Sequence, residues 1–232
     1  MANRDEFHDR PAAAMAWWRD REVLAGRDLQ AGGTWLALDR AGRVAAVTNY
    51  REWPPSEGEL SRGVLPLAAL ELGDAALEAR IATEGDRHAG FNLLLTDRNA
   101  CLTLSNREPI VRRPATGVHA VSNGALDADW PKTQRSRALL EATIARGAIA
   151  EADLLEIAMN DAPAPDEDLP DTGIGEEMER FLSPCFIRGD RYGTRAVTLI
   201  WVGSQIRVVE HRFGPDGTAT GRSEFNFLPA GG

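Results

Sequence analysis

The chain has 232 residues, 43% of them apolar and 26% charged, enough for one sizeable core of the ordinary globular kind. A formal net charge of −9 excludes a general nucleic-acid binder, which needs a basic face. No apolar run approaches the roughly 20 residues that span a bilayer, so no membrane span is expected. The N-terminus carries no apolar secretory core, and Cys101 and Cys185 fit neither a CxxC nor a zinc spacing. These features predict a cytoplasmic protein with two free thiols. The basic residues are arginines, with Lys132 the sole lysine. Arginine suits planar anionic groups such as carboxylates, although a GC-rich genome produces the same bias.

In chain order, ANRDEF (2–7) sets four polar or charged residues before Phe7, as a solvated tail or half of a catalytic site would. Residues 8–20 read as loop, broken by Pro11, and REVLAGRD as a short strand. TWLALD and RVAAVTN flank Asp39-Arg40-Ala41-Gly42 as a β-hairpin. RGVLPLAALELG and DAALEARIATEG read as two helices, with Pro66 in a first turn and Asp74 as an N-cap. GFNLLLTD and ACLTLSN form a second hairpin, and EPIVRRP and GVHAVSN add two short strands. Residues 131–146 look helical, with Pro131 at the start and Gly147 just past the end. EADLLEIAMN is a further helix. Residues 161–176 are acidic and rich in Pro and Gly, which makes a flexible loop. SPCFIRG, TRAVTLIWV, QIRVVEHRF and RSEFNFL close the chain as strands. Hairpins with helices between them imply antiparallel sheet, hence an α+β four-layer α/β/β/α sandwich. There is no GxGxxG, P-loop or HExxH motif.

Several strands end or begin on small polar groups: Asn49-Tyr50, Ser122-Asn123, and Tyr192-Gly193-Thr194-Arg195. With Asn3-Arg4-Asp5 they make four clusters. Turn chemistry accounts for each singly, since Asn holds turns and Arg at a strand entry is solvated. Convergence at one rim would instead give amide donors to an oxyanion and two arginines to a carboxylate.

ANRDEF, GGTWLAL, TNY, GFNLLL, VSN and YGTR, in that order, resemble the NRDE family, also called the transport and Golgi organisation protein 2 family. The likeness runs from residue 2 to about residue 228, so a single domain over 1–232 is expected. The resemblance implies the N-terminal nucleophile hydrolase fold. Similarity to the penicillin V acylase and bile-salt hydrolase group of that superfamily marks Arg4, Asp5, Asn49, Asn123 and Arg195 as catalytic candidates. In that scheme Asn49 and Asn123 meet the oxyanion, while Asp5 and Arg195 orient the amine. Asn3, Arg4, Trp35, Tyr50, Asn123 and Arg195 are the ligand-binding candidates.

Family members begin Met-Cys and run through an apolar strand into ANRDEF, where this sequence has Met1. The N-terminal thiol attacks with its own α-amine as base, so the expectation is a chain missing its first strand and its nucleophile, and less stable for that loss. The family has been linked to haem trafficking and to lipid and acyl-CoA homeostasis. The resemblance therefore implies binding or trafficking of a small ligand, with amide hydrolysis as the alternative. No cofactor is required and no metal site is expected, and haem enters as a transported ligand. Arg4, Arg195 and Arg112-Arg113 would meet propionates, and Trp17, Trp18, Trp35 and Trp53 a planar ligand, although core packing explains tryptophans equally well. His8, His88, His119 and His211 are the histidines open to axial ligation. The sequence sets no oligomeric state.

Overall fold

The computed structural model describes residues 1–108, 111–147 and 149–230. Two antiparallel sheets dominate. The larger is a meander of six strands: β2 (Ala12–Trp17), β3 (Val23–Asp28), β4 (Leu36–Asp39), β5 (Val44–Asn49), β6 (Phe91–Thr96) and β7 (Cys101–Ser105). The smaller holds β1 (Ala2–Phe7), β8 (Tyr192–Val202), β9 (Ile206–Phe213) and β10 (Ala219–Phe227), in the order β1-β8-β9-β10. Helices α1 (Leu65–Glu71) and α2 (Asp74–Glu84) lie between β5 and β6 in sequence. Helices α3 (Pro131–Ala145), α4 (Glu151–Ala158) and α5 (Glu176–Phe181) lie in the long excursion between β7 and β8.

Side-chain alternation along the strands sorts the apolar residues into three cores, and three cores need four layers. Leu24, Leu36 and Leu38 of the larger sheet pack on Ile206 and Val208 of the smaller one. The opposite parity of the larger sheet, Ala25, Ala37, Ala45, Phe91 and Leu93, packs on Leu65, Leu67, Leu70 and Leu77 of α1 and α2. The outer parity of the smaller sheet, Val197, Leu199, Val209 and Phe213, packs on Leu154 and Ala158 of α4. The α+β sandwich of two antiparallel sheets expected from the hairpins is therefore present. Gly26 on β3 shapes the space between the sheets. A Cβ there would lie 2.4 Å from the Trp35 ring, so only glycine lets the indole cross that strand.

Several local expectations need correction. ANRDEF is not a solvated tail, because β1 pairs along its length with β8. Residues 12–17 form an edge strand rather than loop, with Met15 buried between the sheets. Their alanine run carries little strand propensity, and pairing with β3 supplies the order instead. GVHAVSN is irregular and is held by Asp127, whose carboxylate accepts from the Ala120 amide at 2.8 Å and lies 2.7 Å from His119 Nδ1. SPCFIRG is also irregular. Its consecutive Phe186 and Ile187 are both buried, unlike the alternating faces of a strand, and Ile187 alone bonds to Thr194, its amide donating to the hydroxyl and its carbonyl accepting from the Thr194 amide. Of EPIVRRP, Pro109 and Ile110 lie outside the described residues, and Arg112 makes only an isolated bridge to Thr103. Asp74 is the first residue of α2 and Gly73 its cap, which keeps a carboxylate in the first turn. Helix α5, at the end of the acidic loop, was not expected.

Leu38 is fully buried at the centre of the inter-sheet core. Leu38→Ala is expected to lower unfolding free energy by about 3 kcal/mol through lost transfer energy and a residual cavity. Urea unfolding followed by tryptophan fluorescence measures this, and a loss under about 1 kcal/mol would mean that this layer is not tightly packed.

Candidate functional site

One register shift organises the polar residues of β1. Arg4 pairs with Ala196 and Asp5 with Thr194, so Arg195 is an extra residue bulged out of β8. The bulge puts Thr194 on the outer side of the sheet with Asn3 and Asp5. The Asn3 amide donates to the carbonyls of Ala158 and Cys185 at 2.8 and 2.7 Å. The Thr194 hydroxyl donates to Asp5 Oδ1 at 2.6 Å and accepts from the Ile187 amide. Arg4 turns the other way, between the sheets. Its guanidinium lies 4.3 Å from the Trp35 ring centroid and 4.0 Å from Glu6, and burial pushes its pKa down. The bulged Arg195 donates to the carbonyls of Phe7 and Arg10.

The end of β5 builds a second group. The Asn123 side chain donates to the Asn49 carbonyl at 2.9 Å, and its own carbonyl accepts from the Arg51 amide at 2.7 Å. The Thr48 hydroxyl donates to the Ser122 carbonyl at 2.7 Å, so the VSN segment is fastened onto the end of β5. Arg51 then projects away. Its guanidinium lies 5.0 Å from the Trp130 ring centroid, donates to Asn123 Oδ1 at 3.3 Å and to Glu179 Oε2 at 2.6 Å. Glu179 is buried and Arg51 largely so, their side chains 3% and 10% exposed. The other oxygen of Glu179 accepts from the Thr172 amide and hydroxyl at 2.9 and 2.5 Å. One carboxylate thus ties α5 to the acidic loop and to the end of β5.

These contacts border an open, shallow cleft of about 580 Å³. Tyr50, Arg51, Glu52 and Trp53 form one wall, Ala125, Ala128 and Trp130 another, and Pro170, Asp171 and Thr172 a third. Two hydrogen bonds from Arg107, each 2.7 Å, hold the Glu52 carboxyl down at about 2. Arg51 also acts on the polar layer outside β1. There the Lys132 amine donates to the Leu182 carbonyl at 2.9 Å. Burial pushes its pKa down to about 8 against the opposing pull of Asp5. Burial pushes Asp5 up against the charges of Lys132 and Arg51, and it pushes the Cys185 thiol up as well.

The structure therefore divides the expected residues. Tyr50 lines the cleft, while Asn49 and Asn123 do not and are instead bonded to each other, and Asn123 to Arg51, just behind its wall. Asp5 lies on the outer face of β1, within the electrostatic reach of Arg51 and Lys132. Arg4, Arg195 and Trp35 belong to the inner side, and Asn3 is engaged by Ala158 and Cys185. Sequence reasoning missed Arg51, Trp130, Glu179 and Lys132. Two signals were available: the sole lysine in an arginine-rich chain, and its place directly after Trp130-Pro131 at a helix start. Among the described residues, no three His, Cys, Asp or Glu side chains gather as a metal site.

The fold and site define an antiparallel α+β sandwich with an aromatic cleft at the end of β5 and a desolvated polar layer beside it. The family model for transport and Golgi organisation 2 matches residues 1–214, and the chain belongs to that family. It is 32% identical to the transport and Golgi organization protein 2 homolog of Bos taurus, and 30% identical to the homologs of Mus musculus and Homo sapiens. Each of these matches covers 87% of this chain and 80% of the relative.

Glu179→Gln keeps the shape but leaves the buried Arg51 guanidinium without its counter-charge. The expected loss is about 3 kcal/mol of stability. Because Thr172 hangs on the same carboxylate, limited proteolysis within 161–176 should speed up more than unfolding alone accounts for. Equal protection in both proteins would show that Glu179 does not hold the loop.

Proposed function

We propose that the chain binds a small amphipathic ligand in the cleft and serves binding or trafficking rather than turnover. The observation that carries this reading is Trp53, whose side chain stands at the cleft wall 64% exposed. A large indole left in water beside Trp130, Tyr50 and Pro170 is apolar surface that a bound ligand would cover. Arg51 brings guanidinium N–H donors to the polar end; because Glu179 already balances its charge, they suit a hydrogen-bond-accepting head group rather than acting as a free cation.

Acyl or lipid-type ligands suit the cleft better than axially ligated haem. None of the four histidines lines it. His8 lies 3.1 Å from the Gly189 carbonyl, His88 3.2 Å from that of Leu60, His119 beside Asp127, and His211 3.0 Å from Glu151. Haem would be held through propionate and ring contacts alone. The relatives' name refers to transport, which agrees with a carrier. The alternative, a cysteine-type N-terminal nucleophile amide hydrolase, draws less support, because neither Cys101 nor Cys185 is the N-terminal cysteine it needs, and burial pushes both of these internal thiols up, away from the thiolate that could stand in for it. The cytoplasmic setting expected from the sequence belongs to the same proposal. Among the described residues no helix is long and apolar enough to cross a membrane.

Titration with a medium-chain fatty acid, its coenzyme A thioester and haemin, read by tryptophan quenching, tests the reading. At least one is expected to bind, with Trp53→Ala weakening the dissociation constant about tenfold, equivalent to ~1.4 kcal/mol. No saturable quenching by any of the three, or an affinity that Trp53→Ala leaves unchanged, would remove the cleft as the site. A Soret shift surviving all four single His→Ala substitutions is the expected outcome if haem is the ligand.

A further inference from the structure

We infer that Trp53 and Asp171 seat a quaternary ammonium group, so that the ligand of the cleft is a zwitterionic lipid whose head joins that cation to an oxygen acceptor. The inference rests on the cleft being the ligand site and adds the charge of the head group. Its ground is the environment of the six tryptophans. Five of them carry an arginine guanidinium 4.1–5.0 Å from a ring centroid: Arg40 on Trp17, Arg27 on Trp18, Arg4 on Trp35, Arg51 on Trp130 and Arg207 on Trp201. Among the described residues no arginine or lysine covers Trp53, although it is the most exposed of the six. Its ring presents to the cleft the negative π face that holds a cation elsewhere in this chain.

The neighbouring charges favour a cation as well. Of the charged side chains that line the cleft, Arg51 is balanced by Glu179 and Glu52 by Arg107. Asp171 has no ion-pair partner among the described residues, and its Oδ1 accepts from the Gly173 amide at 3.1 Å. Gly173, at φ +85°, turns the loop against Trp53, where a Cβ would stand 3.0 Å from the Trp53 Cβ. One turn thus brings an unbalanced carboxylate beside an uncovered indole. The net charge of −9 adds a long-range field that attracts cations and repels anions. A quaternary ammonium has no N–H to satisfy, so a ring face and a carboxylate suffice for it, whereas a primary ammonium needs three acceptors. The Arg51 donors meet a phosphate oxygen of the same head, and Trp130 and Pro170 offer apolar surface to the chain.

The test compares dodecylphosphocholine with dodecyl phosphate by calorimetry on the full chain, both below micelle-forming concentrations. The two share chain and phosphate and differ in the ammonium group. Dodecylphosphocholine is expected to bind about tenfold tighter. Asp171→Asn keeps an acceptor for the Gly173 amide and should weaken dodecylphosphocholine about fivefold without weakening dodecyl phosphate. Trp53→Leu keeps apolar surface without a π face and should shrink the preference similarly. Phosphocholine without the chain is expected to bind at least about tenfold more weakly, and equal binding would overturn the lipid in favour of a free head group. Equal affinities for the two dodecyl compounds, or a preference that neither substitution reduces, would overturn the inference and leave the cleft as a ligand site. Failure of every amphiphile to bind, fatty acid included, would overturn both.

Discussion

The buried Arg51–Glu179 pair is the constraint on which the functional half of the molecule depends. It joins residues 128 positions apart, one at the end of a sheet strand and the other on a two-turn helix inside an otherwise irregular excursion. A buried charge pair of this kind adds little net stability over an apolar contact, yet it is costly to break on one side. Its value is positional. It fixes Thr172 and the acidic loop through one carboxylate oxygen, and it holds the Arg51 guanidinium over Trp130 through the other. The third wall of the cleft exists because that carboxylate has two oxygens and both are used.

The sheets supply the rigidity that makes such a device useful. Three apolar cores lock β5 and β8 in place, and the residues that carry chemistry sit at strand ends or on segments fastened to those ends. Asn123 shows the logic. Its side-chain amide nitrogen donates to the Asn49 carbonyl, its Oδ1 accepts from the Arg51 guanidinium and the Ser122 hydroxyl, and its backbone carbonyl accepts from the Arg51 amide, so its role in the folded chain is to set where Arg51 begins. That leaves little of its side chain for a ligand, and it shifts attention from the asparagines to the arginine they hold.

Much of the fold was legible. The hairpins around Asp39–Gly42 and Asp97–Asn99, and helix α3 between Pro131 and Gly147, follow from local turn chemistry and periodicity. The failures share a cause. Residues 12–17 become a strand only because β3 offers a partner, and the apolar centre of SPCFIRG reads as a strand although Phe186 plugs the outer core without joining a sheet. The site was legible as motifs but not as geometry. TNY and VSN stand out in the sequence, whereas Arg51, Glu179 and Lys132 acquire meaning only through contacts far apart in the chain. The solitary lysine was visible from the start. Its burial was not.

The extra residue at Arg195 has a broader implication. Before it, β8 follows one phase of the pleat, and after it the other. The half of the strand that serves Asp5 and the half that fills the core are therefore decoupled in sequence, although they are continuous in space. Mutational drift among the core positions 197 and 199 can proceed without reorienting Thr194. The bulge works as an insulator between the part of the strand that packs the core and the part that holds Asp5 through Thr194.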